Sequence, residues 1–509
     1  MKKKFISMII TVLLLFVAVI FVGGCGGDSG HKHVFDRKVV SEQYLRSAGS
    51  CTEKATYYKS CECGEAGTEY FETEGSHLEN VITAIKPEDD KYRVHYKCLD
   101  CGVETEKALE ESEIKDMPIL NIRGSLDGVS KDKKVKVEVD YFNDAETEEF
   151  ASYATLKVQG GSSAGFPKKN YNIQLYKDDT YDKKNKIVLR ETWGKQSKYT
   201  LKANWIDYSQ ARNVVSGKLY GKIAMSNKQN DGIEKAPNGG AVDGYPIIIF
   251  YNGEFLGLYT LNIAKDDWMF GLKDDEELHS AILMADNWNT PVYLTKDVTK
   301  IVDDASNTEG FVCEFQGDEA KDADIIASFN AFTQALRQVN SKEDLLAKLP
   351  AATIARGIDS MLFTYVICAP DNTAKNITYV TYDGTVWLPS VYDMDGTWGL
   401  YWNGQMIVDA EKSVVPSASL GTLLWQCLYK YDFNEVVSRY KELRETLLSY
   451  ENIIAEFDAF DSKIPAVVRK TERNKWKDVP SQDTNNLEQI KEFTKKRLEF
   501  LDNSFGFCK

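Results

Sequence analysis

Asp371-Asn372-Thr373-Ala374-Lys375-Asn376 sets a carboxylate and a carboxamide five residues apart, and seventeen residues beyond Asn376 comes Asp393-Met394-Asp395-Gly396. These are the groups phosphoryl transfer asks for: a carboxylate to orient or deprotonate the attacking hydroxyl, and hard oxygen donors to hold Mg²⁺ against nucleotide phosphates. Read singly, each segment is equally a polar turn, one following Pro370 and the other ending at Gly396. A third candidate is Gln159-Gly160-Gly161-Ser162-Ser163-Ala164-Gly165, followed by Lys168 and Lys169. Such a loop can lay backbone N–H groups and an ammonium against phosphate, and it is also a common hairpin connection. A fourth is a cluster of sulfur and imidazole. Cys51, Cys61, Cys63, Cys98 and Cys101 lie close together with His31, His33, His77 and His95 in or beside them. Cys98-Leu-Asp-Cys101-Gly is a metal-knuckle spacing and Cys61-Glu-Cys63-Gly a variant of it, so Cys61, Cys63, Cys98 and Cys101 are candidate ligands of a structural Zn²⁺, with disulfide pairing as the other use of the same residues. Cys313, Cys368, Cys427 and Cys508 are scattered and read as buried thiols.

These groups need elements to position them. Ala154, Leu156 and Val158 alternate on one face of a strand, and Tyr171, Ile173 and Leu175 do the same on another, with the Gly/Ser loop between them. Pro246 to Tyr251, Asn252-Gly253, and Glu254 to Leu261 predict a hairpin closed by a type I′ turn. Later segments change period. Ile325, Phe329, Phe332 and Leu336; Val436, Val437, Tyr440, Leu443 and Leu447; and Leu487, Ile490, Phe493 and Leu501 each form one apolar helical stripe, and an apolar helix over Met361 to Ala369 leads into Asp371. Strands first and helices second predict an α+β unit with a β-rich lobe and a helical lobe, the cleft between them being the expected ligand site.

The chain has 509 residues, 43% hydrophobic, 12% aromatic and 27% charged, which excludes a disordered or fibrous protein and one small domain. Its net charge of −15 excludes nucleic acid as the main partner. Lys2, Lys3 and Lys4 precede an apolar run from Phe5 to Val22 that ends in Gly23-Gly24-Cys25. This reads as a lipoprotein signal peptide over residues 1–24, with Cys25 lipidated and 25–32 a tether; the run also just meets the length of a retained membrane anchor. The lipoprotein reading places the mature protein on the outer face of a bacterial cell membrane, with a Cys/His-rich module over 33–112.

Four segments then carry a resemblance in a fixed order: Leu201-Lys202-Ala203-Asn204-Trp205-Ile206-Asp207 with Ala211-Arg212-Asn213; Asn252-Gly253-Glu254-Phe255-Leu256-Gly257-Leu258-Tyr259; Asp371 to Asn376; and Asp393 to Gly399. Together they resemble the CotH family of spore-coat kinases, over roughly residues 117–505. The resemblance implies an atypical, minimal protein-kinase-like two-lobed fold (a β-rich N-lobe and a helical C-lobe), here preceded by a Cys/His module similar to small zinc-ribbon-like repeats. It implies transfer of the ATP γ-phosphate to Ser or Thr of a surface or coat protein, with Mg²⁺ or Mn²⁺. It also implies roles: Asp371 as the catalytic-loop aspartate, Asn376 and Asp393 as metal ligands with Asp395 a second candidate, and Trp387 as the ring that stacks on adenine. Lys169, Lys202 and Arg212 would neutralise phosphate. Ile263 stands where many members carry an acidic residue, and Gln159 where an arginine is common, so a lysine–glutamate pair is not assigned. Two other readings remain: a non-catalytic surface or adhesion protein on a kinase-like scaffold, and a cell-wall or carbohydrate-associated protein using Trp398, Tyr401 and Trp402.

Overall fold

Alternation decides the β part of the chain. Along Val135–Phe142, Val135, Val137, Val139 and Tyr141 are buried while Lys136, Glu138 and Asp140 face outward to differing degrees. The two predicted apolar faces meet directly: Tyr171 pairs with Val158, Ile173 with Leu156 and Leu175 with Ala154 across antiparallel strands Asn170–Tyr176 and Phe150–Gln159. The computed structural model describes residues 32–51, 53–73, 80–89, 91–229, 232–272, 279–301, 311–317 and 321–507. The signal-peptide segment 1–24 and Cys25 lie outside the described residues, as do His31, His77 and Cys508. Among the described residues no helix is long and apolar enough to cross a membrane.

The chain divides into two units, Met1–Leu78 and Glu79–Lys509. In the second, a ten-stranded sheet runs in the order Lys198–Lys202, Asn170–Tyr176, Phe150–Gln159, Val135–Phe142, Ile119–Gly124, Gly244–Tyr251, Glu254–Ile263, Asn80–Glu88, Lys91–Cys98, Glu104–Ala108. Lys198–Lys202 also pairs with Glu254–Ile263, Tyr199 against Ile263 and Leu201 against Leu261, so the first seven strands close into a barrel. Closure removes the edges that an open sheet would leave unpaired. The interior is filled by Ile122, Val139, Leu156, Leu201, Ile247, Ile249 and their neighbours. The Asn252-Gly253 turn has positive φ at both residues (49° and 81°), as a type I′ turn demands.

The remaining three strands extend the sheet rather than forming part of a separate Cys/His module over 33–112. Ala84 pairs with Glu254, Ile85 N–H donates to Gly253 O at 2.7 Å, and Ile82 N–H donates to Thr471 Oγ1 at 2.8 Å. The apolar face Ile82, Ile85, Val94 and Tyr96 is buried in the larger unit's core, which is the physical reason the boundary falls near residue 78. The first unit keeps a small antiparallel sheet of Leu45–Ser47, Thr56–Ser60 and Ala66–Glu72.

Helices follow the barrel: Asp322–Arg337, Lys342–Lys348, Ala351–Ile367, Leu423–Tyr431, Phe433–Glu445, Tyr450–Asp461, Ala466–Lys475 and Leu487–Phe505. The predicted stripes are buried, Ile325, Phe329, Phe332 and Leu336 among them. Two departures from strands-first order matter for the site. Helix Arg212–Ser226 interrupts the barrel strands, and a second sheet, Phe311–Gln316, Ala281–Ala285, Ile377–Thr381, Leu388–Val391, is inserted among the helices. The helix before Asp371 is also longer than expected, Ala351–Ile367, and stops at Cys368, whose φ of 50° breaks it.

Candidate active site

Helix Ala351–Ile367 delivers a Pro370–Asn372 turn, and Asp371 stands on it. The segment between Asn376 and Asp393 is a hairpin, Ile377–Thr381 against Leu388–Val391, with Ile377 opposite Val391. Just past that pair Tyr392 N–H donates to Asn376 O at 3.0 Å, so the hairpin returns Asp393 to the level of Asn376. Both residues are left-handed, φ 58° at Asn376 and 55° at Asp393, which turns each out of its strand. Asparagine and aspartate tolerate that region better than other side-chain-bearing residues. Asn372 Nδ2 donates to Tyr392 O at 2.6 Å and Asn213 Oδ1 accepts from Met394 N–H at 3.1 Å, fixing the two segments to each other and to helix Arg212–Ser226.

Asp371, Asn376, Asp393 and Asp395 line one cleft of about 850 Å³ together with Lys202, Lys265, Asp286, Trp288, Tyr401, Trp402 and the Gly160–Ser163 loop. A larger cavity of about 1070 Å³ lies beneath Asn80–Glu88 and contains none of these acidic and amide groups. Asp371 Oδ2 accepts from Lys375 Nζ and from Asn376 Nδ2, both at 3.1 Å, and Oδ1 accepts from the Trp288 indole at 3.2 Å. The Asn376 amide is thereby oriented with its nitrogen on Asp371, which leaves its oxygen as a metal donor.

Lys202 Nζ lies 3.5 Å from Asp393 Oδ1. Burial works to lower this ammonium, but Asp393, Tyr392 and Asp395 together raise it above its ordinary value, so it stays charged. Burial, with Asp393 as the next cause, pushes the Asp395 carboxyl up to about 7 against the opposing pull of Lys202. Burial likewise raises the Asp286 carboxyl, opposed by Lys265 and Lys375. Asp393, Asp395 and the Asn376 oxygen line the same cleft and are hard donors of the kind that suits a divalent cation.

The Gly/Ser loop reaches the cleft, and Gly160 is required there: at φ 116° a Cβ would sit 2.0 Å from Ser163 Oγ. The other expected residues are placed differently. Lys169 turns back to donate to Ala164 O at 2.8 Å and does not line the cleft. Arg212 is a correction: it is 0% exposed and its guanidinium holds Asp207 at 2.5 Å, Thr397 O at 2.9 Å and Gln489 at 2.7 Å, so it ties helices together instead of meeting phosphate. Trp387 is another: it is 1% exposed, packs edge-to-face on Phe329 and donates to Ser328 Oγ at 3.0 Å, lining a separate cavity of about 350 Å³. Trp398 is buried too, donating to Ser216, whereas Tyr401 and Trp402 stand at the cleft. Cys61 and Cys63 fall in the first unit and Cys98 and Cys101 in the second. Cys368 and Cys427 are buried as expected, while Cys313 is half-buried.

Sequence reasoning missed Lys265, Glu314, Asp286 and Trp288. Lys265 Nζ pairs with Glu314 Oε1 at 2.5 Å and lies 4.7 Å over the Tyr392 ring. Glu314 sits on Phe311–Gln316 of the second sheet, so no local spacing announces the pair; Lys375 lies inside the Asp371–Asn376 segment, where spacing alone does not show that it holds Asp371. A second lysine–glutamate pair, Lys168 with Glu472 at 2.6 Å, is fully buried, unlike Lys265 with Glu314, and joins the barrel to helix Ala466–Lys475.

No curated protein matches the chain. A family model described as CotH kinase protein matches residues 156–501, more than half of the chain and all of the cleft groups named above from Gly160 to Trp402. With that extent of match, and with the acidic and amide residues converging on one cleft, the chain belongs to the CotH kinase protein family.

Proposed function

We propose that this protein transfers the γ-phosphate of ATP to a Ser or Thr hydroxyl of a surface or coat protein. The observation that carries the reading is the convergence of Asp371, Asn376, Asp393, Asp395 and Lys202 on one cleft beside a glycine-bearing loop. Asp371, its two oxygens held by Trp288, Lys375 and Asn376, orients the acceptor hydroxyl and takes up its proton. The hydroxyl oxygen forms the new bond to the γ-phosphorus as the bond to the ADP oxygen breaks; the proton passes through Asp371 to solvent, and ADP leaves with the bonding pair. Asn376, Asp393 and Asp395 would hold Mg²⁺ or Mn²⁺, which when bound neutralises charge on the phosphates. Lys202, kept charged by Asp393 and Asp395, serves the same end from the barrel side, and the Gly160–Ser163 backbone covers the phosphates. The exposed rings of Trp288 and Trp402, with the half-buried Tyr401, take the place at the cleft that Trp387 cannot fill as the platform for the base.

The basic residues before an apolar run and Cys25 support a lipid-anchored protein acting outside the cytoplasm. ATP with Mg²⁺ is expected to raise the unfolding temperature, because a ligand at a hundred times its dissociation constant stabilises by about 2.7 kcal/mol. Asp393→Asn should remove the Mg²⁺-dependent part of that shift. No shift with ATP in either protein would defeat the nucleotide reading and leave a non-catalytic scaffold.

A further inference from the structure

We propose that the first unit holds a zinc-class divalent cation on His33 Nδ1, Cys61 Sγ and Cys63 Sγ. These three ligand atoms all lie within 4.8 Å of one another, and Cys63 Sγ is 3.4 Å from His33 Nδ1. Tetrahedral zinc, with bonds of about 2.3 Å to sulfur and about 2.0 Å to nitrogen, separates a sulfur from a nitrogen by about 3.5 Å and two sulfurs by about 3.8 Å. The set is thus close to a coordinating geometry. It differs from the four-cysteine set read from spacing, since a histidine nearly thirty residues upstream replaces the Cys98 and Cys101 pair.

The backbone builds this arrangement. Cys61 N–H donates to Glu65 O at 2.8 Å and Gly64 N–H to Cys61 O at 2.9 Å, with Gly64 at φ 90°, so both cysteines ride one tight turn. Tyr44 Oη donates to the Gly64 carbonyl at 2.9 Å and pins that turn. Arg37 and Ser60 exchange backbone hydrogen bonds of 3.1 and 2.9 Å, which fixes the His33 segment alongside the strand entering the turn. Gly67 lets Phe35 lie flat on the third strand, where a Cβ would come within 2.7 Å of the ring, and Phe35 stacks on His33. On the far side of the imidazole, Nε2 faces Glu65 Oε2 at 3.1 Å. A carboxylate on the second nitrogen is the usual partner of a metal-bound histidine, setting its tautomer and raising its basicity.

A second observation is the thinness of the core. Within this unit Tyr44, Ala55, Cys61 and Phe71 are the buried apolar residues among those described. So small a core cannot hold a sheet by apolar burial, and a bound metal supplies that stability directly. Two thiolates and one imidazole favour zinc over the hard cation of the cleft. Each thiol releases its proton to solvent as the metal binds, and a fourth donor or water completes the site.

The test uses the full chain, with metal stripped by a chelator under reducing conditions and then replaced by Co²⁺ or Zn²⁺ alone. Expected are a near-ultraviolet sulfur-to-cobalt charge-transfer band and protection of residues 33–73 from proteolysis on metal addition. Cys63→Ser and His33→Ala should each bind one equivalent less than the parent. Glu65→Gln, which keeps every ligand, should weaken affinity about 10–100-fold without abolishing it. Unchanged metal content in the ligand variants would overturn the proposal, as would a metal-free parent whose mass shows an oxidised Cys61–Cys63 pair. Phosphoryl transfer is not read in this experiment, so its outcome is separate from that of the kinase reading.

Discussion

Asp395→Asn should make the metal-free protein more stable, by an amount that grows from about pH 4 to about pH 7. The Asp395 carboxyl is pushed up to about 7 by burial and by Asp393, from an ordinary value of 3.8. A carboxyl raised on folding is protonated in the native state where the unfolded chain has already lost its proton. Stability from this group is therefore full below the ordinary value and is lost as pH rises through the folded one. Three units at 1.36 kcal/mol each set a ceiling of about 4 kcal/mol, and the water that reaches this half-buried side chain brings the expected figure to about 2–4 kcal/mol. The neutral amide does not ionise. Thermal melts in EDTA should show variant and parent nearly equal near pH 4, with the variant's advantage growing until about pH 7 and level above it. Adding Mg²⁺ at pH 8 should stabilise the parent more than the variant, closing or reversing the gap, since the metal supplies the charge that the paired carboxylates lack. A parent at least as stable as the variant at pH 8 in EDTA would refute the reasoning, because Asp395 would then carry no penalty from its surroundings.

Other substitutions separate structural from chemical roles. Arg212→Met removes a fully buried cation and strands Asp207, so it should cost about 3–5 kcal/mol in denaturant unfolding; a loss under about 1 kcal/mol would show that the network around Thr397 and Gln489 does not depend on it. Trp387→Phe should leave ATP affinity within about twofold, whereas Trp288→Ala or Trp402→Ala should weaken it by about 0.5–1.5 kcal/mol or more if either ring stacks on the base. Calorimetric titration with a non-hydrolysable ATP analogue decides between them.

The parts legible in the sequence are those with local signals. The facing strands at Tyr171 and Val158, the Asn252-Gly253 turn and the apolar stripe of Ile325 to Leu336 follow from periods and turn chemistry a few residues long. The Asp371, Asn376 and Asp393 set was readable because a single hairpin holds its spacing. What stayed hidden depends on contacts between distant segments. Barrel closure needs Lys198–Lys202 to find Glu254–Ile263, and Arg212 is sequestered by Gln489, 277 residues away. The same limit concealed Lys265 with Glu314 and Trp288 over Asp371. The strands bearing Cys98 read as one module with Cys61 because composition clusters the cysteines, but the apolar face of Ile82, Ile85, Val94 and Tyr96 assigns them to the larger core.

The most direct test of the central claim is incubation of the full chain with γ-labelled ATP and Mg²⁺, followed by mass spectrometry of the protein itself. The account predicts label on Ser or Thr residues of the parent. It predicts a loss of about 10²–10⁴-fold in Asp371→Asn, whose nucleotide binding, read by thermal shift, persists. Equal labelling of parent and variant, or label transferred to neither while both bind ATP, would contradict it.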